Sequence, residues 1–176
     1  MNQPRNPNKP LLLVTLFGGG WHREMCLMLQ HFPPDAYRFA YVYGHCQGVH
    51  GAARLSMPQP GPCYPIHYLG PTRKYPLRFI PNGVRLGLSF IEALRLVWRL
   101  RPDAILAVGT ATAVPLFLAG RLFGARCVFV ESLTRVEQLS VTGRILYHTR
   151  LADRLYVQWQ RLQERFRRTA YAGAVL

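Results

Sequence analysis

The 176-residue sequence predicts a doubly wound α/β domain on a mostly parallel sheet. Two observations carry that expectation. Apolar runs of strand length recur at "LLLVTLF", "DAILAVG" and "RCVFVES". They are continuous where a half-exposed strand would alternate, which marks strands buried on both faces of a parallel sheet. Between the strands lie segments of helical length, so strand and helix alternate along the chain and right-handed crossovers join them.

The elements follow in order. Residues 1–10, "MNQPRNPNKP", are polar and proline-rich and read as a flexible tail ahead of one domain spanning 11–176. They lack the apolar stretch of a secretory signal. Leu11 to Phe17 is the first strand, and Trp21 to Phe32 a helix stopped by Pro33 and Pro34. Tyr37 to Gly44 is a strand, and Gln47 to Pro62 a Gly/Pro-rich loop. Cys63 to Gly70 is a weaker strand that Pro65 confines to an edge or a bend. The basic, aromatic loop "PTRKYPLRFIPNG" leads to a helix over Val84 to Leu100. Asp103 to Gly109 is a buried strand, Ala111 to Phe123 a helix and Arg126 to Ser132 a strand. Thr142 to Leu151 is a short helix, "RLYVQW" a strand and Gln160 to Arg168 a helix, and "AYAGAVL" closes the chain. Ligands of such sheets bind outside the carboxyl ends of the strands. Gly18 to His22, Gly109 to Thr112 and Glu131 to Gly143 are expected to meet there.

Composition narrows the partners. An apolar fraction of 49% argues against disorder. No apolar run reaches the roughly 18 residues of a membrane-spanning helix. The net charge of +14 predicts an anionic partner: nucleic acid, an anionic membrane or a phosphorylated substrate. No helix-turn-helix, zinc-finger or RNA-binding motif is present, which sets nucleic acid aside. The four cysteines form no CxxC pair and read as reduced thiols. Cys46 with His50 and Cys63 with His67 repeat a C-x3-H spacing, but this fits zinc-ligand patterns poorly and no metal is expected.

The glycines Gly18, Gly19 and Gly20 follow a strand and open a helix, where backbone amides and the helix dipole can grip an anion. The spacing is neither G-x-G-x-x-G nor a P-loop. A tight turn without a ligand fits equally well. His22, at the helix start, is expected to be neutral near pH 7 and so able to accept a proton from a hydroxyl. Glu131 falls where a buried strand opens into a polar loop carrying Ser132, Thr134, Arg135, Ser140 and Thr142. Arg135 could pair with a phosphate or a carboxylate, and Ser140 or Thr142 could cap the next helix. In Val84 to Leu100, the residues Arg85, Glu92, Arg95 and Arg99 form a thin polar stripe on a broad apolar surface that includes Phe90, Leu94 and Trp98. That helix is expected to lie on an anionic membrane, with Arg73, Lys74 and Arg78 facing the head groups; burial against the sheet is the alternative. Arg161, Arg165, Arg167 and Arg168 make a basic end, either solvated or a surface for another subunit.

The stretch "VFVESLTRVEQLSVTGRILYHTRLADRLYVQW" resembles the signature of the PssD/EpsE-type polysaccharide biosynthesis proteins, bacterial relatives of the membrane-anchoring subunit of the dolichol-linked N-acetylglucosamine transferase. The matching residues are Glu131-Ser132, Arg135, Ser140, Thr142-Gly143, Ala152-Asp153 and Val157-Gln158-Trp159. The family's Gly-rich-His loop matches Gly18 to His22, and its second glycine turn matches Gly109 to Thr112. The family usually has glycine where this chain has Trp21, and Glu24-Met25 sits nearer the histidine than in eukaryotic relatives. The resemblance implies the Rossmann-like, N-terminal, acceptor-binding half of a GT-B glycosyltransferase that works with a separate donor-binding chain. It implies inverting transfer, without a metal or other cofactor, from a UDP-sugar held by the partner to a polyprenyl-diphosphate-linked sugar during exopolysaccharide or capsule assembly. It places acceptor binding at Gly18, Gly19, Gly20, Gly109, Thr110, Ser132, Arg135, Ser140 and Thr142, with His22 or Glu131 as the base. The expected location is the cytoplasmic face of the inner membrane, held peripherally. A non-catalytic scaffold that recruits a donor-binding chain is the alternative.

Overall fold

The computed structural model describes residues 9–17, 19–33, 35–44, 59–67 and 79–175, with side chains of the last segment described from residue 86. The first helical crossover joins β1 (Leu11–Leu16) through α1 (Gly20–Gln30) to β2 (Arg38–Gly44). β3 (Cys63–Ile66) and α2 (Phe79–Leu100) follow. The chain then alternates through β4 (Ala104–Val108), α3 (Ala113–Leu122), β5 (Arg126–Val130) and α4 (Val141–Thr149). β6 (Arg154–Val157), α5 (Gln160–Arg165) and β7 (Ala170–Tyr171) complete it.

The seven strands form one sheet in the order β3-β2-β1-β4-β5-β6-β7, and every neighbouring pair is parallel. The order runs outward from β1 and then restarts at β4. The crevice at the carboxyl ends of β1 and β4 is therefore the switch point where such sheets bind ligands.

Alternation along each strand explains the continuous apolar runs. In β1, Leu11 and Leu13 point into one core cluster while Leu12, Val14 and Leu16 point into the other. The first cluster holds side chains of four helices, among them Val97 of α2, Phe117 of α3, Leu146 of α4 and Leu162 of α5. The second is covered by α1 alone among the described helices, through Met25 and Leu29.

At the amino edge two aspartates finish the ladders. Asp103 Oδ2 accepts from the Leu11 amide at 2.6 Å. Asp153 Oδ2 accepts from the Cys127 amide at 2.7 Å, and its Oδ1 pairs with Arg121 Nη1 at 2.6 Å. The Ala-Asp part of the sequence signature is thus an amino-edge feature, far along the strands from the glycine loop.

Several element ends shift by a residue or two, and β3 stops at Ile66, short of the expected Gly70; three further departures stand out. α2 begins at Phe79, five residues before Val84, because Pro81 falls in the first turn, where a missing N–H costs nothing. α5 ends at Arg165 instead of Arg168. Ala170 and Tyr171, read only as the chain's close, form β7 beside β6.

Candidate functional site

The carboxyl edge is built first from the turn between β1 and α1. Gly18 lies outside the described residues. Gly19 has φ +85° and ψ −150°, a region open essentially to glycine alone. As the N-cap of α1 it offers no side-chain cap, and no acidic residue occupies the first turn. A Cβ at Gly19 or Gly20 would meet nothing within 4 Å, so the space before this helix terminus is open. Amides there carry partial positive charge and suit an anion.

Trp21 points away from that space, over the second glycine turn. Gly109 has φ +59°, and a Cβ on it would stand 2.6 Å from Trp21 Nε1. The tryptophan that departs from the family pattern is therefore seated on a position that only glycine fits. The Gly109 amide in turn donates to the Val130 carbonyl at 3.1 Å, tying this turn to the end of β5. Thr110 and Thr112 are fully buried; Thr110 Oγ1 accepts from the Thr112 amide at 3.3 Å. Thr112 Oγ1 finds no hydrogen-bond partner among the described residues.

His22 is half-buried in the first turn of α1, with Cys26 Sγ 3.4 Å from its Nε2. Burial lowers its pKa below the usual 6.5, which keeps the imidazole neutral at pH 7. The sequence reading reached the same charge state through the helix dipole; desolvation is the cause here.

Glu131 is fully buried at the end of β5. Its Oε2 accepts from the Ser140 amide at 2.8 Å and from Ser140 Oγ at 3.0 Å, and its Oε1 accepts from the Ser132 amide at 3.1 Å. Burial pushes its pKa up, and these donors together with the Arg135 charge hold it partly down. Ser140 then caps α4, accepting from the Gly143 amide at 2.9 Å. Gly143 has no room for a Cβ, which would collide with Glu131 Oε2. The carboxylate thus folds the loop back on itself and seats α4. Of the two candidate bases, His22 is the one partly open to solvent. Thr142 is buried in the first turn of α4, and Arg135 is exposed at the loop's tip.

Glu24 was missed by sequence reasoning. It is 7% exposed on α1, where its Oε1 accepts from Ser132 Oγ at 2.8 Å. Its Oε2 accepts from the Leu133 amide at 3.1 Å and from Gln158 Nε2 at 2.8 Å. Trp159 Nε1 donates to the Leu133 carbonyl at 2.7 Å. The Val-Gln-Trp signature is therefore a clasp on the Glu131 loop. Its one sequence signal was the Glu24-Met25 pair within the resemblance. Of the three segments expected at this edge, the first two touch directly, Trp21 resting on Gly109; the Glu131 loop is tied to them through neighbouring residues, Val130 bonding the Gly109 amide and Glu24 of α1 bonding Ser132.

α2 divides its apolar surface. Ser89, Ala93 and Val97 are buried and Leu94 packs against the core, with Phe90 half-buried. Leu94 thus turns toward the domain, which corrects its placement on a membrane-facing surface. Leu88, Ile91 and Trp98 are exposed, Trp98 at 61%, beside exposed Arg95 and Arg99. Glu92 turns aside to accept from the His67 amide, with His67 Nδ1 2.7 Å from its Oε1. Arg73, Lys74 and Arg78 lie outside the described residues, as does the side chain of Arg85. Among the described residues no helix is long and apolar enough to cross a membrane.

Other sequence candidates separate from this edge. Cys46 and His50 lie outside the described residues, and among the described ones no three His, Cys, Asp or Glu side chains converge to hold a metal.

The parallel sheet, its switch point and its glycine-lined edge define a Rossmann-like α/β domain with the fold of one half of a GT-B protein. The fold matches MurG of Acinetobacter baumannii with a TM-score of 0.62 and 17% identity, over 96% of this chain and 44% of that one. It matches the Arabidopsis thaliana glycosyltransferase UGT89C1 with a TM-score of 0.61 and 15% identity, over 96% of this chain and 51% of that one. The chain therefore spans about half of each. It belongs to the Alg14-like family of oligosaccharide biosynthesis proteins, whose model matches residues 12–175. The mouse protein named UDP-N-acetylglucosamine transferase subunit ALG14 is 29% identical, over 97% of this chain and 85% of its own length. The Schizosaccharomyces pombe protein of that name is 39% identical, over 93% of this chain and 82% of its own.

Proposed function

We propose that this chain is the acceptor-binding subunit of a two-chain inverting glycosyltransferase. It works with a separate donor-binding chain that holds a UDP-sugar, and it extends a polyprenyl-diphosphate-linked sugar in exopolysaccharide or capsule assembly, as a PssD/EpsE-type member of the family. The observation that carries the reading is the open, uncapped terminus of α1 behind Gly19, beside a half-buried His22. The names of the mouse and fission-yeast relatives support a subunit role.

The chemistry follows from those residues. First-turn amides of α1 bind the acceptor diphosphate, the Gly109 turn seats Trp21 beside them, and Arg135 supplies an exposed positive charge at the rim. Neutral His22 takes the proton of the acceptor hydroxyl as its oxygen attacks the anomeric carbon. The bond to the nucleotide diphosphate breaks on the opposite face, and UDP leaves on the partner chain. Glu131 holds the loop that closes this edge. The exposed stripe Leu88, Ile91, Arg95, Trp98 and Arg99 rests on anionic lipid at the cytoplasmic face of the inner membrane, and Arg73, Lys74, Arg78 and Arg85 add to its charge.

The test is co-expression with the candidate donor-binding chain, followed by transfer from UDP-sugars to a polyprenyl-diphosphate-sugar. Transfer that requires both chains and is lost in His22→Ala upholds the proposal. Undiminished transfer in His22→Ala and Glu131→Ala pairs would assign this chain a scaffold role instead.

A further inference from the structure

Gln158 joins four parts of the molecule, and its chemistry allows one arrangement. It follows β6 and is 3% exposed. Nε2 donates to Glu24 Oε2 at 2.8 Å and to the Glu131 carbonyl at 3.0 Å, while Oε1 accepts from the Val175 amide at 2.9 Å. Two acceptors on one side and one donor on the other fix which end is nitrogen. A carboxylate at 158 would turn lone pairs toward Glu24 and toward a carbonyl. The amide thereby links α1, the end of β5 and the segment after β7. That segment is also one wall of a cleft of about 250 Å3, whose other lining includes Met28 of α1, Phe32 just beyond its end, Tyr156 and Gln158 itself.

We infer that Gln158 is a positioning residue that couples residues 172–175 to helix α1, so that the seating of this segment sets the placement of Glu24 and of His22 two residues before it. When the Val175 amide leaves, Gln158 Oε1 loses its one protein donor and faces the vacated cleft. The amide is then pinned at Nε2 alone, and its rotation toward water takes a donor from Glu24. Glu24 also holds Ser132 Oγ and the Leu133 amide, so loosening it frees α1 from the loop over the carboxyl edge. A partner surface that grips the segment, or enters the cleft beside it, then acts on the acceptor site without touching it. The consequence for catalysis rests on the proposed role of His22; the coupling itself is a property of this chain alone.

The experiment uses the full chain without a partner or substrate. Val175→Pro removes the amide donor and leaves Gln158, Glu24 and the glycine turns intact; Val175→Ala keeps the donor and serves as control. In Val175→Pro, hydrogen exchange across Trp21 to Leu27 should quicken several-fold, while β4 and α3 keep wild-type protection. The His22 imidazole, followed by NMR, should titrate closer to its ordinary value, because released α1 buries it less. Gln158→Ala should do the same, and Val175→Ala should match wild type. Wild-type exchange and titration in Val175→Pro would overturn the coupling, whether or not Gln158→Ala has an effect. So would a Val175→Ala variant that behaves like Val175→Pro. A chain that passes this test but supports no transfer with its partner would retire the transferase proposal and leave the coupling standing.

Discussion

Trp21 and Gly109 are matched across the carboxyl edge: the indole lies where a Cβ on the glycine would stand, 2.6 Å from Nε1. Gly109→Ala therefore carries two penalties. A left-handed φ costs an L side chain about 1–2 kcal/mol, and the displaced indole adds to it. The melting temperature should fall by several degrees. Adding Trp21→Gly should recover the steric part and leave the backbone part, a coupling that a double-mutant cycle measures directly.

Glu131 should behave as a structural carboxylate. Both of its oxygens accept from donors, so Glu131→Gln sets an amide N–H against the Ser132 or Ser140 amide. An orphaned buried donor costs about 1–3 kcal/mol, and urea denaturation should register a loss of that size. Gly143→Ala should be at least as damaging, since its Cβ collides with Glu131 Oε2.

In the proposed reaction His22 sets an acid limb. Its pKa is lowered by burial from 6.5, so the neutral base persists to lower pH than in a free histidine. Transfer by the proposed two-chain enzyme should rise as pH climbs through that lowered value and level off by neutrality. Stability follows the same sign. Between 6.5 and the lowered value the unfolded state binds more protons, so acidification through this window weakens the fold. Glu131 acts oppositely: its folded pKa lies above 4.5, so acidification through that raised value toward 4.5 strengthens the fold. Denaturation of His22→Gln across pH should lack the first slope and keep the second.

The two sides of α2 should separate by mutation. Trp98→Glu and Ile91→Glu change exposed side chains and should release the chain from anionic vesicles at unchanged melting temperature. Leu94→Glu places a charge against the core and should lower the melting temperature instead. Vesicle co-sedimentation beside thermal unfolding distinguishes the two.

What the sequence disclosed follows from what each signal measures. Buried strands announce themselves because both faces are apolar, so β1, β4 and β5 were legible almost to the residue. β7 was not, since two residues show no period. The start of α2 was hidden by Pro81 and Gly83, which read as breakers although the first turn tolerates them. Glu131 was legible as a carboxylate at the ligand edge, but not its task, because its donors come from residues 132 and 140. Glu24 was passed over because helical periodicity counts apolar positions, and a carboxylate on the buried side looks like a solvated one. The seat of Trp21 on Gly109 depends on where the crossover lays α1, which no local pattern encodes.

Both margins of the described sheet are poor templates for another strand. β3 carries Pro65, which offers no N–H, and β7 is only two residues long. A second chain gains little by extending this sheet through backbone pairing. Assembly with a second chain is thereby directed to side-chain surfaces on the faces and ends of the domain, and the ribbon-like stacking to which long open edges are prone finds little backbone to use at either described margin.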